Sequence, residues 1–462
     1  MRLRVTPGSA LGPATVRVPG DKSIAHRWLI LAATADGLSR LVEVPPSLDV
    51  RSTAVCLSSL LPDARPALER WTRNVAAAVE AGGSTWNVGS SDGVEGSAFP
   101  VLEVDGHGRD ALVSAGRDLD CGNSGTSMRL FAGVVAAAPF RTVLTGDASL
   151  ERRPMERIAA PLRSMGASVA TTDGHAPITI DGGPLHGIRY EVPVPSAQVK
   201  SAVLFAGIAA EGETTVVEPA ATRDHTERAL RALGADVTSD GASVTVRRSR
   251  HRSFDGRVPG DPSSAAFLVA GAAITGSRLT IERVGVNPTR TRYLDVMRRM
   301  GVTITVAVTG EEVGEPVGDL RVEPPSRIAP VVVDAAELPL VVDEVPVLAA
   351  LAAHADGPSW FEGARELRVK ESDRLVGLAE RFRALGHHAG VEDDALTLAG
   401  RGVRGGRVTS GGDHRIAMAF AVAALAADAP VEIDGMEAEA VSFPGFSRML
   451  LELGAAAQAV EG

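Results

Sequence analysis

The chain has 462 residues, more than one hydrophobic core usually holds, so we expect two or more domains. Aromatic residues make up only 4% and the net charge is −10, which argues against a nucleic-acid partner. Two cysteines, no apolar leader and no apolar run beyond twelve residues argue against a disulfide framework and a membrane partner, and we expect a cytoplasmic protein.

The first polar element is VPGDKSIAHR, which starts at Val18 and precedes an Ala- and Leu-rich run that predicts a buried helix. It places Lys22, Ser23 and Arg27 at the start of that helix. A helix start carries free N–H groups and the positive end of the macrodipole, so added cations and a hydroxyl favour an anion there. The G-x-x-x-x-G-K-[ST] spacing of a nucleotide-binding loop is absent, which indicates an anion other than a magnesium nucleotide.

Polar loops of this kind recur along the chain, each before an apolar run. The six segments are PGDKSIAHR, DCGNSGTSMRL, VPSAQVKSAV, VPGDPSSAAF, VVDEVPVLAA and GGDHRIAMAF. Helices that are apolar on every side are buried, so only their N-terminal ends can face solvent. If the six units pack as two sets of three, up to six positive helix ends face one cleft, which suits a strongly anionic ligand.

A second repeated signature is apolar-x-x-apolar-Gly before an alternating stretch, which predicts a helix with a Gly C-cap and then a strand. The signature ends at Gly166, Gly234, Gly301, Gly386 and Gly454. A sixth copy, in which the Gly is replaced, is expected to end near residues 57–61, followed by an insertion near residues 62–98. Together with the abundance of Gly and Ala, this pattern favours an α/β fold.

Ten segments, in their order along the chain, resemble the 5-enolpyruvylshikimate-3-phosphate synthase family, also called 3-phosphoshikimate 1-carboxyvinyltransferase. They are PGDKSIAHR, GNSGTSMR, TGDASLERRPM, PSAQVKSAVLFAG, TRDHTE, PGDPSSAAF, NPTRT, ELRVKESDRL, DHRIAMAF and SFPGF. The resemblance implies two similar domains, each of three βαββαβ repeats in an inside-out α/β barrel, closing over a cleft. It also implies hinge crossings at Gly20 and Gly260, so that one continuous domain spans 21–256 and a discontinuous one joins 1–20 to 257–462.

The reaction that the resemblance implies is transfer of the carboxyvinyl group of phosphoenolpyruvate to the 5-hydroxyl of shikimate 3-phosphate, with release of phosphate, in aromatic amino acid biosynthesis. The residues alone support only the anionic character of the substrates. The sequence has no H-E-x-x-H or C-x-x-C cluster, and arginine forks bind carboxylate and phosphate without a metal, so we expect no metal and no cofactor. We expect a monomer whose partners are the two small-molecule substrates.

The resemblance carries functional residues over by position. The implied contacts with shikimate 3-phosphate are Lys22, Ser23, Arg27, Ser196, Ala197, Gln198, Arg223, Asp343 and Lys370. The implied contacts with phosphoenolpyruvate are Lys22, Asn123, Gly125, Arg153, Gln198, Arg374 and Arg415. The implied catalytic residues are the carboxylates Asp343 and Glu371, which move the protons of the reaction.

The sequence neighbours of these two carboxylates predict different environments. Asp343 opens a buried helix with only Glu344 beside it, and it can accept a hydrogen bond from a ring hydroxyl. Glu371 lies between Lys370 and Arg374, which favour its ionised form, so it can act as an acid only if bound anions offset these cations. Taken alone, residues 370–374 are more typical of a solvated helix start with local ion pairs.

Two other functions stay open at this point. The related enzyme that transfers the same group to a UDP-linked amino sugar carries a Lys-Asn pair in its first loop and a reactive Cys on a mobile loop. This chain instead has Lys22-Ser23, and its Cys121 lies inside a Gly-rich segment. A non-catalytic phosphate-binding module is the second alternative, because a fold does not fix a function. Val441 replaces a Lys that contacts phosphoenolpyruvate in many family members, which removes one cation from the implied site.

Overall fold

The computed structural model describes residues 1–80, 88–89 and 101–460, and its helices follow the periodic segments of the sequence. The α-helices of these residues are α1 (Lys22–Thr34), α2 (Leu48–Leu60), α3 (Arg65–Glu80), α4 (Gly125–Val135), α5 (Ala148–Glu151), α6 (Glu156–Ser164), α7 (Ala197–Gly207), α8 (His225–Ala232), α9 (Pro262–Thr275), α10 (Arg292–Arg299), α11 (Leu338–Val341), α12 (Val345–Ala353), α13 (Arg374–Ala384), α14 (His414–Ala424) and α15 (Phe446–Glu452). Short 3-10 helices span Arg109–Ala111, Ala364–Val369 and Met436–Val441. Within the described ranges, no helix is long and apolar enough to cross a membrane.

The strands of the described residues form six small sheets. In pairing order, the sheets of the first half are Asp255–Arg257, Asp36–Val42 and Leu102–His107; Leu119–Asp120, Arg141–Thr145, His175–Asp181 and Ser168–Thr172; and Arg189–Glu191, Glu213–Val217, Ser243–Arg247 and Val237–Asp240. Those of the second half are Thr303–Glu312, Glu315–Glu323, Leu279–Gly285, Ala14–Arg17 and Val88–Gly89; Val332–Val333, Ser359–Phe361, Ala395–Leu398 and Ala389–Glu392; and Gly406–Thr409, Val431–Asp434, Arg2–Thr6 and Ala456–Val460.

One pairing pattern repeats through the sheets, and the sheet of residues 119–181 shows it completely. Its first two strands are parallel, and the other two strands then add in antiparallel. Because a parallel pair needs a crossover connection, α4 joins the first two strands, whereas a tight turn joins the last two. The order within the unit is therefore βαβαββ rather than the expected βαββαβ. The Gly-capped signature locates one helix and the strand after it, but it does not show how many strands separate the two helices.

Strands near the chain start and near residue 256 complete sheets that are distant in sequence. The exchanged strands and their partners are Arg2–Thr6 with Val431–Asp434 and Ala456–Val460, Ala14–Arg17 with Leu279–Gly285, and Asp255–Arg257 with Asp36–Val42. These pairings are compatible with a division into residues 21–256 and residues 1–20 plus 257–462. That division stays a prediction.

The helices predicted from both repeated signatures are confirmed. The six helices that follow the polar loops are α1, α4, α7, α9, α12 and α14, and most of their residues are buried. The five Gly residues of the second signature, Gly166, Gly234, Gly301, Gly386 and Gly454, all follow helices and have φ between 74° and 106°. Only Gly adopts this left-handed backbone without strain, so it ends each helix and turns the chain into the next strand.

The predicted insertion at 62–98 is partly described. Its first part contains α3, whose residues Leu68, Trp71 and Val75 are buried, which is the spacing of an amphipathic helix. A two-residue strand at 88–89 pairs with residues 15–16. Residues 81–87 and 90–98 of the prediction, including Trp86, lie outside the described residues.

Candidate active site

The starts of the six buried helices surround one cleft with a volume of about 290 Å³. The lining residues from these starts are Lys22 and Ser23 of α1, Gly125 and Thr126 of α4, Ala197 and Gln198 of α7, Asp261 before α9, Asp343 and Glu344 before α12, and His414 and Arg415 of α14. The prediction that up to six helix ends face one cleft is confirmed. Converging N-termini present positive potential, so the cleft favours anions.

Most residues predicted from the sequence line this cleft. Those that do are Lys22, Ser23, Arg27, Gly125, Arg153, Ser196, Ala197, Gln198, Arg223, Asp343, Lys370, Glu371 and Arg415. Asn123 and Arg374 do not line the cleft themselves but contact residues that do. Asn123 accepts a hydrogen bond from Arg153 Nη2 at 2.7 Å, and Arg374 contacts Glu371.

Arg27 is buried, and neutral groups hold all of its hydrogen-bonding nitrogens. It donates to the Ser23 carbonyl at 2.7 Å, to Thr226 Oγ1 at 2.8 Å and to Ser201 Oγ at 2.8 Å. Burial, assisted by nearby Arg223, lowers the pKa of Arg27 to about 10. Its charge is therefore fixed in place without a directly paired carboxylate among the described residues, and an anion in the cleft would stabilise it.

Asp343 lies among cations from three distant segments. Its carboxylate pairs with Arg223, with Lys370 Nζ at 3.4 Å and with Arg374 Nη1 at 3.9 Å, while its carbonyl accepts from Arg415 Nη1 at 2.5 Å. Burial alone would raise the pKa of Asp343, but these four cations hold it well below its usual range. The expectation that only Glu344 lies beside Asp343 is wrong, because the cations come from other parts of the chain.

Glu371 shares Arg374 with a second carboxylate, Asp413. Arg374 Nη2 lies 2.7 Å from Glu371 Oε2, and Asp413 accepts from Arg374 Nε at 2.8 Å and from Ser372 Oγ at 2.8 Å. Arg374 begins α13 and pairs locally with Glu371, as the alternative interpretation of residues 370–374 expects, but it is only 1% exposed, so that interpretation is wrong in making Arg374 solvated. Burial would raise the pKa of Glu371, but Arg374, assisted by Arg153 and Lys22, keeps it well below the usual range.

A second group of arginines lies at the start of α4. Arg153 Nη2 donates to Asn123, and Arg129 Nη1 donates to Gln198, which in turn donates to Thr126 Oγ1 at 2.9 Å. Burial, with the neighbouring Arg157 and Arg153, lowers the pKa of Arg129 to about 9. Neither Arg129 nor Arg153 forms an ion pair with a carboxylate of the described chain, so this end of the cleft also favours an anion.

The sequence reasoning assigned no role to three residues of the cleft, Asp49, Arg129 and Arg157. Asp49 accepts from Lys22 Nζ at 2.8 Å and thereby orients it. The sequence signal for Asp49 was its position in the first turn of α2. The signal for Arg129 was a basic side chain inside the otherwise apolar helix α4. Arg157 Nη1 lies 3.9 Å from Glu366, which is distant from it in sequence. No local sequence pattern marked Arg157 as a site residue.

His414 was also given no catalytic role, but its ring lines the cleft and neither nitrogen has a partner among the described residues. Burial, followed by nearby Lys22, lowers the pKa of His414 to about 3, so the ring is neutral. Cys121 is buried, and hydrogen bonding with Cys56 together with burial raises the pKa of its thiol. A buried, protonated thiol is not the reactive Cys of the amino-sugar enzyme. No cluster of His, Cys, Asp or Glu suited to a metal occurs in the described part of the chain.

The chain is similar to known proteins in both sequence and structure. The family model described as EPSP synthase (3-phosphoshikimate 1-carboxyvinyltransferase) matches residues 5–83 and 96–450, and it leaves out 84–95 within the predicted insertion. The 3-phosphoshikimate 1-carboxyvinyltransferase of Halorhodospira halophila is 48% identical, with 98% of this chain and 96% of the relative aligned. The Thermus thermophilus relative of the same name is 46% identical and covers 96% of both chains. A solved structure of EPSP synthase from Acinetobacter baumannii superimposes with a TM-score of 0.82 at 37% identity, covering both chains completely.

Proposed function

Because the chain belongs to the EPSP synthase family, we infer that its cleft binds shikimate 3-phosphate and phosphoenolpyruvate side by side. The chain has the two-domain, inside-out α/β fold of this family. It is an enolpyruvyl transferase of aromatic amino acid biosynthesis. It joins the 5-hydroxyl oxygen of shikimate 3-phosphate to the carboxyvinyl group of phosphoenolpyruvate and releases phosphate.

We propose that shikimate 3-phosphate occupies the end of the cleft near α1 and α7. Lys22, Ser23, Arg27, Ser196, Ala197, Gln198, Arg223 and Lys370 would contact it. Arg27 supports this assignment, because it is buried and held by neutral groups, so that a phosphate or carboxylate would supply its missing counter-charge. The start of α7 adds free backbone N–H groups beside the same space.

Phosphoenolpyruvate would lie between the start of α4 and the start of α14. Arg153 and Arg415 reach the cleft directly, Lys22 and Gln198 face both substrates, and Asn123, Gly125 and Arg374 complete the set. Arg129, which the sequence reasoning did not include, belongs to this group because it holds Gln198 and lacks a carboxylate partner in the described chain. A phosphate and a carboxylate on one small molecule can use several arginines at once.

Proton transfer would be divided between the two carboxylates. Asp343 is held ionised by the surrounding cations, which suits a group that takes the proton of the 5-hydroxyl. Glu371 has to be protonated to donate to the methylene carbon of phosphoenolpyruvate, yet Arg374 favours its ionised form. The anionic groups of the bound substrates would offset Arg374, Arg153 and Lys22, so proton donation by Glu371 would depend on an occupied cleft.

The observation that carries these assignments is the set of buried arginines around two carboxylates in one cleft. The test mixes the protein with both substrates and measures phosphate release, with UDP-N-acetylglucosamine as the control acceptor. We expect release with shikimate 3-phosphate and none above background with the control. The opposite preference would contradict the proposal.

We further propose that the enzyme acts as a monomer in the cytoplasm and needs neither metal nor cofactor. Sedimentation at several concentrations tests the first point, since a dimer would show a mass that rises with concentration. Phosphate release in the presence of a chelator tests the second. Loss of activity that magnesium or zinc restores would contradict it.

A further inference from the structure

The two PGD segments of the sequence, at residues 19–21 and 259–261, meet in the structure. Gly20 and Gly260 form an antiparallel bridge, in which Asp21 N donates to Pro259 O at 2.7 Å and Asp261 N donates to Pro19 O at 2.7 Å. Asp21 then caps α1 and Asp261 caps α9. The starts of these two helices are therefore joined through their backbones, beside the cleft.

Arg290 binds both capping aspartates at once. Its Nη1 donates to Asp21 Oδ2 at 2.5 Å, and its Nη2 donates to Asp261 Oδ1 at 3.2 Å and to Ser263 Oγ at 3.0 Å. The side chain is 3% exposed, and the two aspartates raise its pKa above the usual value despite its burial. The planar guanidinium reaches the two carboxylates through two separate nitrogens in a fixed geometry, whereas a lysine at this position would present one nitrogen on a flexible stem.

His225 also contacts Arg290 and orients its guanidinium group. Arginine is only a donor, so His225 Nε2, which lies 3.2 Å from Arg290 Nη1, must accept the hydrogen bond. The proton of the neutral ring is then on Nδ1, which donates to Glu315 Oε1 at 2.7 Å. Asn287 donates to the other oxygen of Glu315 at 3.0 Å. Both Nη groups of Arg290 thus have two acceptors each, and its position is fixed.

From Arg290, the contacts continue to the proposed catalytic carboxylate. Ser263 Oγ, which accepts from Arg290, donates to Glu344 Oε1. Arg415 Nη1 lies 3.6 Å from Glu344 and donates to the carbonyl of Asp343 at 2.5 Å. One chain of buried contacts therefore connects the start of α1, which carries Lys22 and Ser23, to Asp343 and Arg415.

We propose that Arg290 is a positioning residue that sets the start of α1 relative to Asp343 and Arg415. This rests on the substrate roles proposed above for those residues. Arg290 is expected to contribute little to the first binding of shikimate 3-phosphate, because Arg27, Gln198 and Arg223 are held by groups that Arg290 does not contact and only Lys22 and Ser23 lie beside its partner Asp21. It matters when phosphoenolpyruvate is held between the two sets of residues, because a displacement of about 1 Å between reacting groups can lower a rate by about a hundredfold.

The test compares Arg290→Met, Arg290→Lys and Ser263→Ala with Arg327→Met, an exposed control whose Arg is 80% exposed. Calorimetry gives the dissociation constant of shikimate 3-phosphate alone, and steady-state phosphate release gives kcat and KM for phosphoenolpyruvate. All rates are compared at a temperature where circular dichroism shows every variant folded. Wild-type phosphate release establishes the reaction before any variant is compared.

For both Arg290 variants, we expect kcat/KM for phosphoenolpyruvate to fall about 10- to 100-fold, with shikimate 3-phosphate affinity within about threefold of the wild type. Ser263→Ala should lower kcat/KM in the same direction, by about three- to tenfold, and Arg327→Met should change nothing. Full activity in Arg290→Lys, or an equal loss of shikimate 3-phosphate affinity, would overturn the proposal. If Arg290→Met does not fold, an unchanged kcat/KM in Ser263→Ala would also overturn it. The substrate roles fail separately, if Arg27→Ala and Asp343→Asn leave binding and turnover unchanged.

Discussion

The buried arginines of the cleft fall into two groups that differ in their partners. Arg27 and Arg129 are held by hydroxyl, carbonyl and amide oxygens, and burial lowers the pKa of each, to about 10 and about 9. Arg290 and Arg374 are also buried, but each lies between two carboxylates that raise its pKa. All four arginines are at most 9% exposed, so the difference in charge balance comes mainly from their partners.

This difference in partners predicts different main roles for the two groups of arginines, which are binding of substrate and positioning of the site. A buried cation with no directly paired carboxylate in the described chain is unfavourable, so we infer that a ligand supplies part of the missing charge. A cation already matched by two carboxylates gains less from a further anion, and it fixes the elements that carry those carboxylates. The first group is then expected to determine mainly substrate affinity. The second, although Arg374 also completes the phosphoenolpyruvate set, is expected to determine mainly how well the bound substrates react.

The largest effect is expected for Glu371→Gln, which changes one of the two carboxylate partners of Arg374. The change keeps the shape of the side chain but removes the proton that it would deliver to carbon, so turnover should fall about a thousandfold. Binding of both substrates should survive, because the arginines without counter-ions are untouched. Single-turnover rates beside equilibrium binding check this. Near-normal turnover would leave Glu371 as an ion-pair partner of Arg374 only.

A somewhat smaller loss of turnover, about a hundredfold, is expected for Asp343→Asn. This variant should also weaken shikimate 3-phosphate, by about tenfold, because a carboxylate accepts a hydrogen bond from a hydroxyl better than an amide does. Titration with shikimate 3-phosphate measures this second effect, and it distinguishes the two carboxylates. A variant that binds normally and turns over normally would remove Asp343 from the proposed mechanism.

Arg153→Ala tests an arginine that has no carboxylate partner in the described chain, at the end of the cleft proposed for phosphoenolpyruvate. We expect a loss of about 2 to 4 kcal/mol in phosphoenolpyruvate binding and little change for shikimate 3-phosphate. The dissociation constant of each substrate is measured separately, in the absence of the other, and Arg327→Ala is the matched control on the surface. Equal losses for both substrates would show that Arg153 supports the cleft as a whole.

The smallest effect concerns pH. The pKa of His414 is about 3 in the folded chain, so below its unfolded value of about 6.5 only the unfolded state gains a proton. Its contribution to stability is therefore lost as pH falls from about 6.5 towards 3, by up to about 1.4 kcal/mol per pH unit. Denaturant titrations from pH 7 to pH 5 should show a shallower pH dependence in His414→Gln. The same slope as in the wild type would contradict the assignment of a neutral ring.

The sequence was sufficient wherever the signal is local. The polar loop, the Asp or Ser cap and the apolar run lie within about a dozen residues of each other, so the helix starts around the cleft could be predicted. The surroundings of Asp343 could not be predicted, because Arg223 lies 120 residues away and Arg415 lies 72 residues away from it. Lys370 is nearer, 27 residues away, but only folding brings the three cations together around Asp343.

The partners that distinguish the two groups of arginines could not be predicted from the sequence for the same reason. Arg27 meets Ser201 across 174 residues, and Arg290 meets Asp21 across 269. Arg374 has Glu371 as a sequence neighbour, but Asp413, its second carboxylate, is 39 residues away. The residue types in a motif indicate that an anion binds, whereas the role of each cation depends on contacts between distant segments.

The most direct measurement compares Arg27→Met with Arg290→Met in one calorimetric titration with shikimate 3-phosphate. Both changes remove a buried guanidinium and keep an unbranched apolar side chain. The account predicts that Arg27→Met loses affinity by at least about 30-fold, which is about 2 kcal/mol, whereas Arg290→Met stays within about threefold of the wild type. Equal losses in the two variants, or a larger loss in Arg290→Met, would contradict the division between arginines that bind substrate and arginines that position the site.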